Sequence, residues 1–292
     1  MNDIRKVAAV TGSGQGIGRG EALELARDGF AVVVNDIDQE AADAVVAEIV
    51  GAGGEATTFI GDCSDHDTAG ALVQTAVDTY GGLFAVVNNA GFNRDRTLLK
   101  MSVEEWQSVT RVHLDSHFSV THHACQHFKE AGVGGRVVCT SSTGGILGNF
   151  GQSNYGTAKA GIAAFAIIVA QEVAKIGVTV NAIVPTARTR MTEALAAKPA
   201  EGEFDFFAPD NIAPFVAFLC SEEASGYTGN VFGIAGDTVE LYQPFTSAAI
   251  VENESRRWDH AALTTRVPEL FAQTGFEPGP KSPFGARRFR LI

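Results

Sequence analysis

Tyr155 and Lys159 stand four residues apart in the segment Gln152-Ser-Asn-Tyr-Gly-Thr-Ala-Lys-Ala-Gly161, and Ser142 lies thirteen positions before the tyrosine in Thr140-Ser-Ser-Thr-Gly-Gly145. On a helix, side chains four apart share one face, so a phenol and an ammonium group can meet. A lysine charge beside a tyrosine favours the phenolate and lowers its pKa toward working pH. Such a phenol can take or give the hydroxyl proton of an alcohol/ketone pair. A serine at the end of a strand can hold the same oxygen by a hydrogen bond. The three residues together therefore name a reaction.

A second group of residues suits a dinucleotide. Ile4–Val10 reads as a buried parallel strand, followed by Thr11-Gly-Ser-Gly-Gln-Gly-Ile-Gly18 and a helical stretch, Arg19–Asp28. Gly12, Gly16 and Gly18, with Gln15 and Ile17 between them, allow a tight turn and a close approach of backbone N–H groups to a pyrophosphate. The helix N-terminus favours that anion electrostatically. The next strand, Ala31–Asn35, ends at Asp36, eighteen positions after Gly18. A carboxylate there accepts hydrogen bonds from the adenosine ribose and repels a 2′-phosphate. Gln15 and Ile37 are uncharged, so no cation waits for that phosphate, and the expected cofactor is NAD rather than NADP. The alternative is that Asp36, with Asp38, caps the following helix.

The elements that must position these residues follow in alternation. Strands are expected at Ala56–Ile60, Phe84–Val87, Arg136–Thr140, Val178–Val184 and Asn230–Ala235. Asp62 and Cys63 follow the first of these, where Asp62 could meet the adenine amino group or cap a helix starting near Asp65. Asn88-Asn89-Ala90-Gly91 follows the second, where small residues admit the adenosine ribose and the asparagine amides can brace neighbouring strand ends. Ser102-Val-Glu-Glu105 is a capping box, opening a helix with Trp106, Val109, Val112 and Phe118 on its apolar stripe. The helix from Ser153 to Lys175 carries Tyr155 and Lys159. Pro185-Thr186 closes the next strand, a lid candidate spans Arg188–Phe207, and a helix runs over Pro209–Cys220. The pattern predicts an α/β fold, a single doubly wound parallel sheet of about seven strands with helices on both faces. Residues 1–240 form this domain, and residues 241–292 form an extension packed on the core or on a partner subunit.

The 292 residues carry a net charge of −12, which argues against broad nucleic-acid binding. The longest apolar run, Gly161–Ala170, is too short to span a bilayer. The first strand begins too early to leave room for a signal peptide, and the four widely spaced cysteines read as reduced thiols. The expected setting is cytoplasmic. Lys281, Arg287, Arg288 and Arg290 form a basic end, either a solvated tail or a site for an anionic substrate handle such as the phosphates of coenzyme A. His113 and His117 are four apart, as are His123 and His127, but neither pair sits in a zinc-protease pattern and no third ligand is evident. No metal is expected.

At this point the residues match a family. From about Lys6 to Gly236 the chain resembles the short-chain dehydrogenase/reductase family, through Thr11–Gly18, Asn88–Gly91, Ser142 and Tyr155-x-x-x-Lys159 in order and at family spacing. Arg94-Asp95-Arg96, Arg111-Val-His-Leu114, Gly148–Gln152 and Arg190-Met-Thr192 are similar to a subgroup. That subgroup comprises the 3-hydroxyacyl-CoA and hydroxysteroid dehydrogenase units of type 2 peroxisomal multifunctional enzymes and their actinobacterial single-domain relatives.

The resemblance implies a Rossmann-type domain, a homodimer or homotetramer, and an oxidoreductase acting on a lipid-like secondary alcohol, such as a CoA thioester. Tyr155 is then the acid/base. Lys159 lowers its pKa and holds the nicotinamide ribose, and Ser142 binds the reacting oxygen. His113 falls where the family has a catalytic asparagine, whose backbone carbonyl helps hold a relay water; histidine keeps that carbonyl. Thr186 stands where the family has glycine after Pro185, which alters the loop over the nicotinamide. The alternatives are a 3-oxoacyl-acyl-carrier-protein reductase and a catalytically silent NAD-binding redox sensor.

Overall fold

Runs of Val, Ile and Ala too short for helices build the centre of the molecule, because a strand buried on both faces needs no polar alternation. In the computed structural model, which describes residues 6–189, 199–200, 202–243, 245–253 and 255–274, these runs form β1 (Val7–Thr11), β2 (Ala31–Asp36), β3 (Glu55–Ile60), β4 (Ala85–Asn88), β5 (Gly135–Thr140), β6 (Val178–Pro185) and β7 (Val231–Ala235). All seven pair in parallel. An eighth strand, β8 (Thr238–Tyr242), pairs antiparallel with β7, so the sheet runs β3-β2-β1-β4-β5-β6-β7-β8. This strand lies where the sequence reading began an extension. Gly236, at a φ of 55°, makes the tight turn that such a hairpin needs.

Alternate side chains of each strand feed two cores. One face packs Val7, Ala9, Val86, Val137 and Cys139 against Leu72 of α3 (His66–Tyr80), Phe128 of α5 (Ser116–Ala131) and Ile162 of α7 (Ser153–Val173). The other packs Ala8, Val10, Val32, Val87 and Val138 against Leu25 of α1 (Gly16–Arg27), Val45 of α2 (Gln39–Gly51) and Val216 of α8 (Ala213–Leu219). Together with the turn after it, α7 is apolar and long enough to cross a membrane by composition alone. Here its apolar side is the inner wall of a sheet.

The helix opened by Ser102 departs from the expected single stripe. Its capping box forms, with Ser102 accepting from Glu105 N and Glu105 reaching back to Ser102 N. It then splits into α4 (Val103–Thr110) and α5, joined by one π-helical turn over Arg111–Asp115. The extra residue in the turn puts each later side chain about 100° from where unbroken helical spacing would place it. Val109 is fully buried as expected, but Phe118 lies on the surface at 50% exposure, and Trp106 at 38%. Between β5 and α7 the chain adds a one-turn helix, α6 (Thr143–Leu147).

The chain divides into two compact units, Met1–Tyr242 and Gln243–Ile292. The second contains α9 (His260–Thr274), with Pro268 inside it and an Arg266–Glu269 ion pair on its surface. Arg190, Met191, Thr192 and the basic end from Lys281 lie outside the described residues.

Candidate active site

The order of strands reverses between β1 and β4, and at their carboxyl ends opens a cleft of about 500 Å³. Gly12, Gln15, Gly16 and Ile17 form one wall, and Asn89, Ala90 and Gly91 form another. The two are stitched together. Thr11 Oγ1 accepts from Asn89 N at 3.0 Å and Ala90 N at 3.1 Å, and the Asn89 amide donates to the Thr11 and Gly12 carbonyls. The brace expected of the asparagines is therefore present. Gly18 lies beneath it; a β-carbon there would sit 2.4 Å from both Asn89 Nδ2 and Gly12 O. Gln15 precedes α1 without a side-chain cap, so the first N–H groups of that helix are left for an anion.

Asp36 closes the far end of the cleft. Its Oδ2 accepts from Gly14 N at 2.9 Å, and its Oδ1 from Ile37 N at 2.8 Å and Asp38 N at 3.1 Å. Asp38, not Asp36, caps α2 by accepting from Ala41 N. The helix-cap alternative for Asp36 thus falls away. Asp62 also lines the cleft, with Ser64 on one carboxylate oxygen and Arg111 at 3.1 Å on the other. Asp65 caps α3 in its place. Cys63 lines the same end, and burial pushes its thiol up to about 12, so it remains protonated. Pro185 and Thr186 stand outside this wall: Pro185 ends β6 and Thr186 N extends the ladder to Ile234 O. The sequence reading missed the cleft residues Val112, Ser116 and Thr189.

Ser142 leaves β5 as the cap of α6, accepting from Gly144 N at 3.2 Å, and hydrogen-bonds the Tyr155 side chain. Lys159 is 3% exposed, with Nζ 5.7 Å from the centre of the Tyr155 ring and donating to Thr140 O at 2.6 Å. Burial brings the lysine down to about 7, opposed by Cys139 and Glu21. The expected lowering of Tyr155 is not seen. Burial raises it, the Ser142 hydrogen bond lowers it less, and the Asp95 charge raises it further. The reason is that Lys159 is itself desolvated and aimed at a carbonyl, so it lends the phenol little charge. Tyr155 is held as a neutral proton carrier beside a lysine that titrates near neutrality.

His113 lies within the π-helical turn, 1% exposed, its ring edge-on to Tyr155 at 5.3 Å. Its Nε2 lies 2.7 Å from Phe92 O, while Nδ1 has no partner among the described residues. Burial and the Lys159 charge hold it well below the usual histidine range, so it is neutral. The ring fits only because residue 91 is glycine; a β-carbon would come 2.1 Å from its Cε1. Asn154, fully buried, ties α7 to the Arg94 and Glu105 carbonyls, while Gln152 holds Asp95 and Glu105 holds Arg96. The Arg94–Arg96 motif is thus a clamp over the tyrosine. His123 and His127 serve elsewhere, near the His66 carbonyl and the Leu83 N–H.

Two further buried residues stand near Lys159: Glu21, which the sequence reading missed, and His117, which it weighed only as a metal ligand. Glu21 of α1 is fully buried, with neither carboxylate oxygen bonded among the described residues; burial lifts it from 4.5 to about 8. His117 of α5 is also buried with both ring nitrogens unbonded. Spacing carried a signal for Glu21, which sits four before Leu25 on the inward side of α1.

A dinucleotide cradle at the switch point, joined to a serine, a tyrosine and a buried lysine, defines an oxidoreductase of alcohol and ketone groups. The chain belongs to the short chain dehydrogenase family, whose model matches residues 6–200. That family uses nicotinamide dinucleotides, and the glycine-rich turn and uncapped helix start fit one.

The chain is 40% identical over 282 residues to hydroxyacyl-CoA dehydrogenase ChsB1 of Mycobacterium tuberculosis, covering 91% of this chain and 89% of that one. It is 40% identical to peroxisomal multifunctional enzyme type 2 of Drosophila melanogaster over 84% of this chain and 42% of that longer one. A 3-oxoacyl-[acyl-carrier-protein] reductase of Synechocystis is 40% identical over 80% of this chain and 97% of its own. The crystal structure of a short chain dehydrogenase from Mycobacterium avium superposes with a TM-score of 0.86 at 40% identity, covering 95% of this chain and 98% of the other.

Proposed function

We propose that this chain is an NAD-dependent 3-hydroxyacyl-CoA dehydrogenase, acting in the cytoplasm as a homodimer or homotetramer. The observation that carries the reading is one cleft with Ser142, Tyr155 and Lys159 grouped beside its Gly91–Phe92 wall and a rigid Asp36 carboxylate at its far end. Asp36 is fixed by three backbone N–H groups, so it cannot swing aside for a 2′-phosphate. This supports NAD over NADP and disfavours the acyl-carrier-protein reductase, which would draw on NADPH. A silent redox sensor would have no use for the Ser142, Tyr155 and Lys159 grouping.

In alcohol oxidation the bound NAD supplies the hydride acceptor. Ser142 holds the substrate oxygen, where its hydrogen bond strengthens as charge develops. Tyr155, held as the neutral phenol, takes the hydroxyl proton as it gives up its own, and Lys159 in its neutral form, near its midpoint at neutral pH, is suited to receive that proton and pass it on. Phe92 on the cleft wall and exposed Phe150 beyond it support an apolar substrate. Exposed Leu98, Leu99 and Val103 support a subunit contact.

The test is a turnover assay with NAD and NADP across 3-hydroxyacyl-CoA thioesters, hydroxysteroids and, in reverse, 3-oxoacyl-carrier-protein. NAD-linked oxidation of the CoA thioesters is expected to be fastest. NADPH-linked reduction of the carrier-protein thioester as the main activity would replace this reading with the alternative.

A further inference from the structure

Behind Tyr155 lies a group of buried polar atoms that the described protein does not satisfy. Both ring nitrogens of His117, Nδ1 of His113 and Oδ1 of Asn88 have no hydrogen-bond partner among the described residues. Each such atom costs roughly 1–3 kcal/mol if left so. Three residues of this kind in one place call for a functional account rather than a packing one.

Their placement supplies one. His117 sits one helical turn after His113, where the π-helical turn withdraws backbone carbonyls from the ordinary ladder. The carbonyls of His113 and Asn88 lie close enough to favour protonation of the His117 ring, yet neither ring nitrogen makes a well-formed hydrogen bond among the described residues. Asn88 pairs in register with Cys139, the residue before Thr140, whose carbonyl holds Lys159 Nζ. Asn88 Nδ2 is taken by Thr121 Oγ1 at 3.1 Å, while its buried side-chain oxygen has no partner among the described residues. The Lys159 charge reaches both imidazoles. The groups around His117 are thus Lys159 from α7, His113 from the turn, Asn88 from β4, Cys139 from β5 and Thr121 on its own helix. Burial pushes His117 down to about 3, so it stays neutral, with one donor and one acceptor nitrogen. A buried site with several unsatisfied polar atoms is where a water is held.

We propose that His117 is a positioning residue for proton release: its imidazole orients a water molecule between the His113 carbonyl and Lys159. The inference rests on the reading of Tyr155 and Lys159 given above and adds to it a residue that touches neither substrate nor cofactor. In alcohol oxidation Tyr155 takes the substrate proton as its own phenol proton passes to neutral Lys159, and the Lys159 ammonium then releases one proton through this water toward solvent. No electrons move along the path, and His117 ends in the form in which it began.

The test compares His117→Leu, which keeps the bulk and removes both nitrogens, with His117→Asn, which keeps a donor and an acceptor. The measurements are kcat against pH with the fastest substrate of the panel, KM, and the NAD dissociation constant by titration. The Leu variant is expected to lose kcat by roughly tenfold or more, with its acid limb moved to higher pH and with KM and NAD affinity unchanged. The Asn variant is expected to recover most of the loss. Wild-type kcat and pH profile in the Leu variant would overturn the proposal, as would equal losses in both variants with weakened NAD binding. If the Leu variant does not fold, His117→Ala is read by the same criteria. Tyr155→Phe is run in parallel: if it still turns over, the parent reading fails as well. If it is dead while His117→Leu is normal, only the present inference falls.

Discussion

Replacing Glu21 with Gln isolates the cost of a buried carboxyl group. The side chain lies on the inner face of α1, 0% exposed, with no bonded oxygen among the described residues. Its displacement from 4.5 to about 8, at about 1.4 kcal/mol per tenfold in proton affinity, puts the cost of ionising it in the folded state on the order of 4 to 5 kcal/mol. Relaxation and water entry make that an upper bound, and roughly 2 to 3 kcal/mol is the expected measured value. Because the folded-state value is raised, the folded chain holds the extra proton between pH 4.5 and 8. This group's contribution to stability is therefore fully present below 4.5 and lost as pH rises to about 8. Glutamine cannot ionise, so the variant lacks this slope. Urea unfolding of both proteins at several pH values from 5 to 9 gives the comparison. The variant should be close to wild type at pH 5 and gain on it steadily to pH 8. Lys159 and Glu21 act on each other's charge, so the difference reports Glu21 together with the change its removal makes in the lysine's titration. A stability difference that stays constant across the range would refute the reasoning and mean that Glu21 has partners that keep it charged.

Tyr155→Phe should keep fold and nucleotide binding while lowering single-turnover hydride transfer by about 10²- to 10⁴-fold; a loss below tenfold would shift the acid/base role to another group. Gly91→Ala should cost roughly 1–3 kcal/mol in thermal unfolding and impair turnover, because its β-carbon would strike the His113 ring; wild-type stability and rate would show that the ring moves freely. Asp36→Ala should narrow the preference for NAD over NADP in parallel titrations, and tighter wild-type binding of NADPH would overturn the assignment of Asp36 to the ribose.

The parallel strands were legible because each is a short β-branched run closed by a polar or glycine-rich turn. The reacting residues were legible because helical spacing puts Tyr155 and Lys159 on one face whatever surrounds them. The state of their protons was not. Spacing suggested that Lys159 would ionise Tyr155, but the outcome depends on how deeply each is buried and where Nζ points, and those are tertiary facts. The hairpin to β8 was readable in principle from Ala235-Gly-Asp-Thr238, a two-residue turn between strand-forming residues. The π-helical turn at Arg111–Asp115 had no sequence marker, since no glycine or proline interrupts the helix there. For that reason Phe118 was assigned to the wrong face.

That same turn constrains how this stretch can diverge. Substitutions on the outer faces of α4 and α5 leave the backbone path intact. Losing a single residue between Val109 and Ser116 would restore an ordinary helix and keep α5 on its present face, with Val120 and Phe128 still in the core, because the π-helical turn already absorbs one extra residue. It would also return the carbonyl of residue 113 to the helical ladder. Length here is therefore tied to chemistry rather than to architecture: a relative can exchange most of these side chains, or lose the extra residue, and keep the packing, whereas a one-codon deletion would close the turn that carries His113.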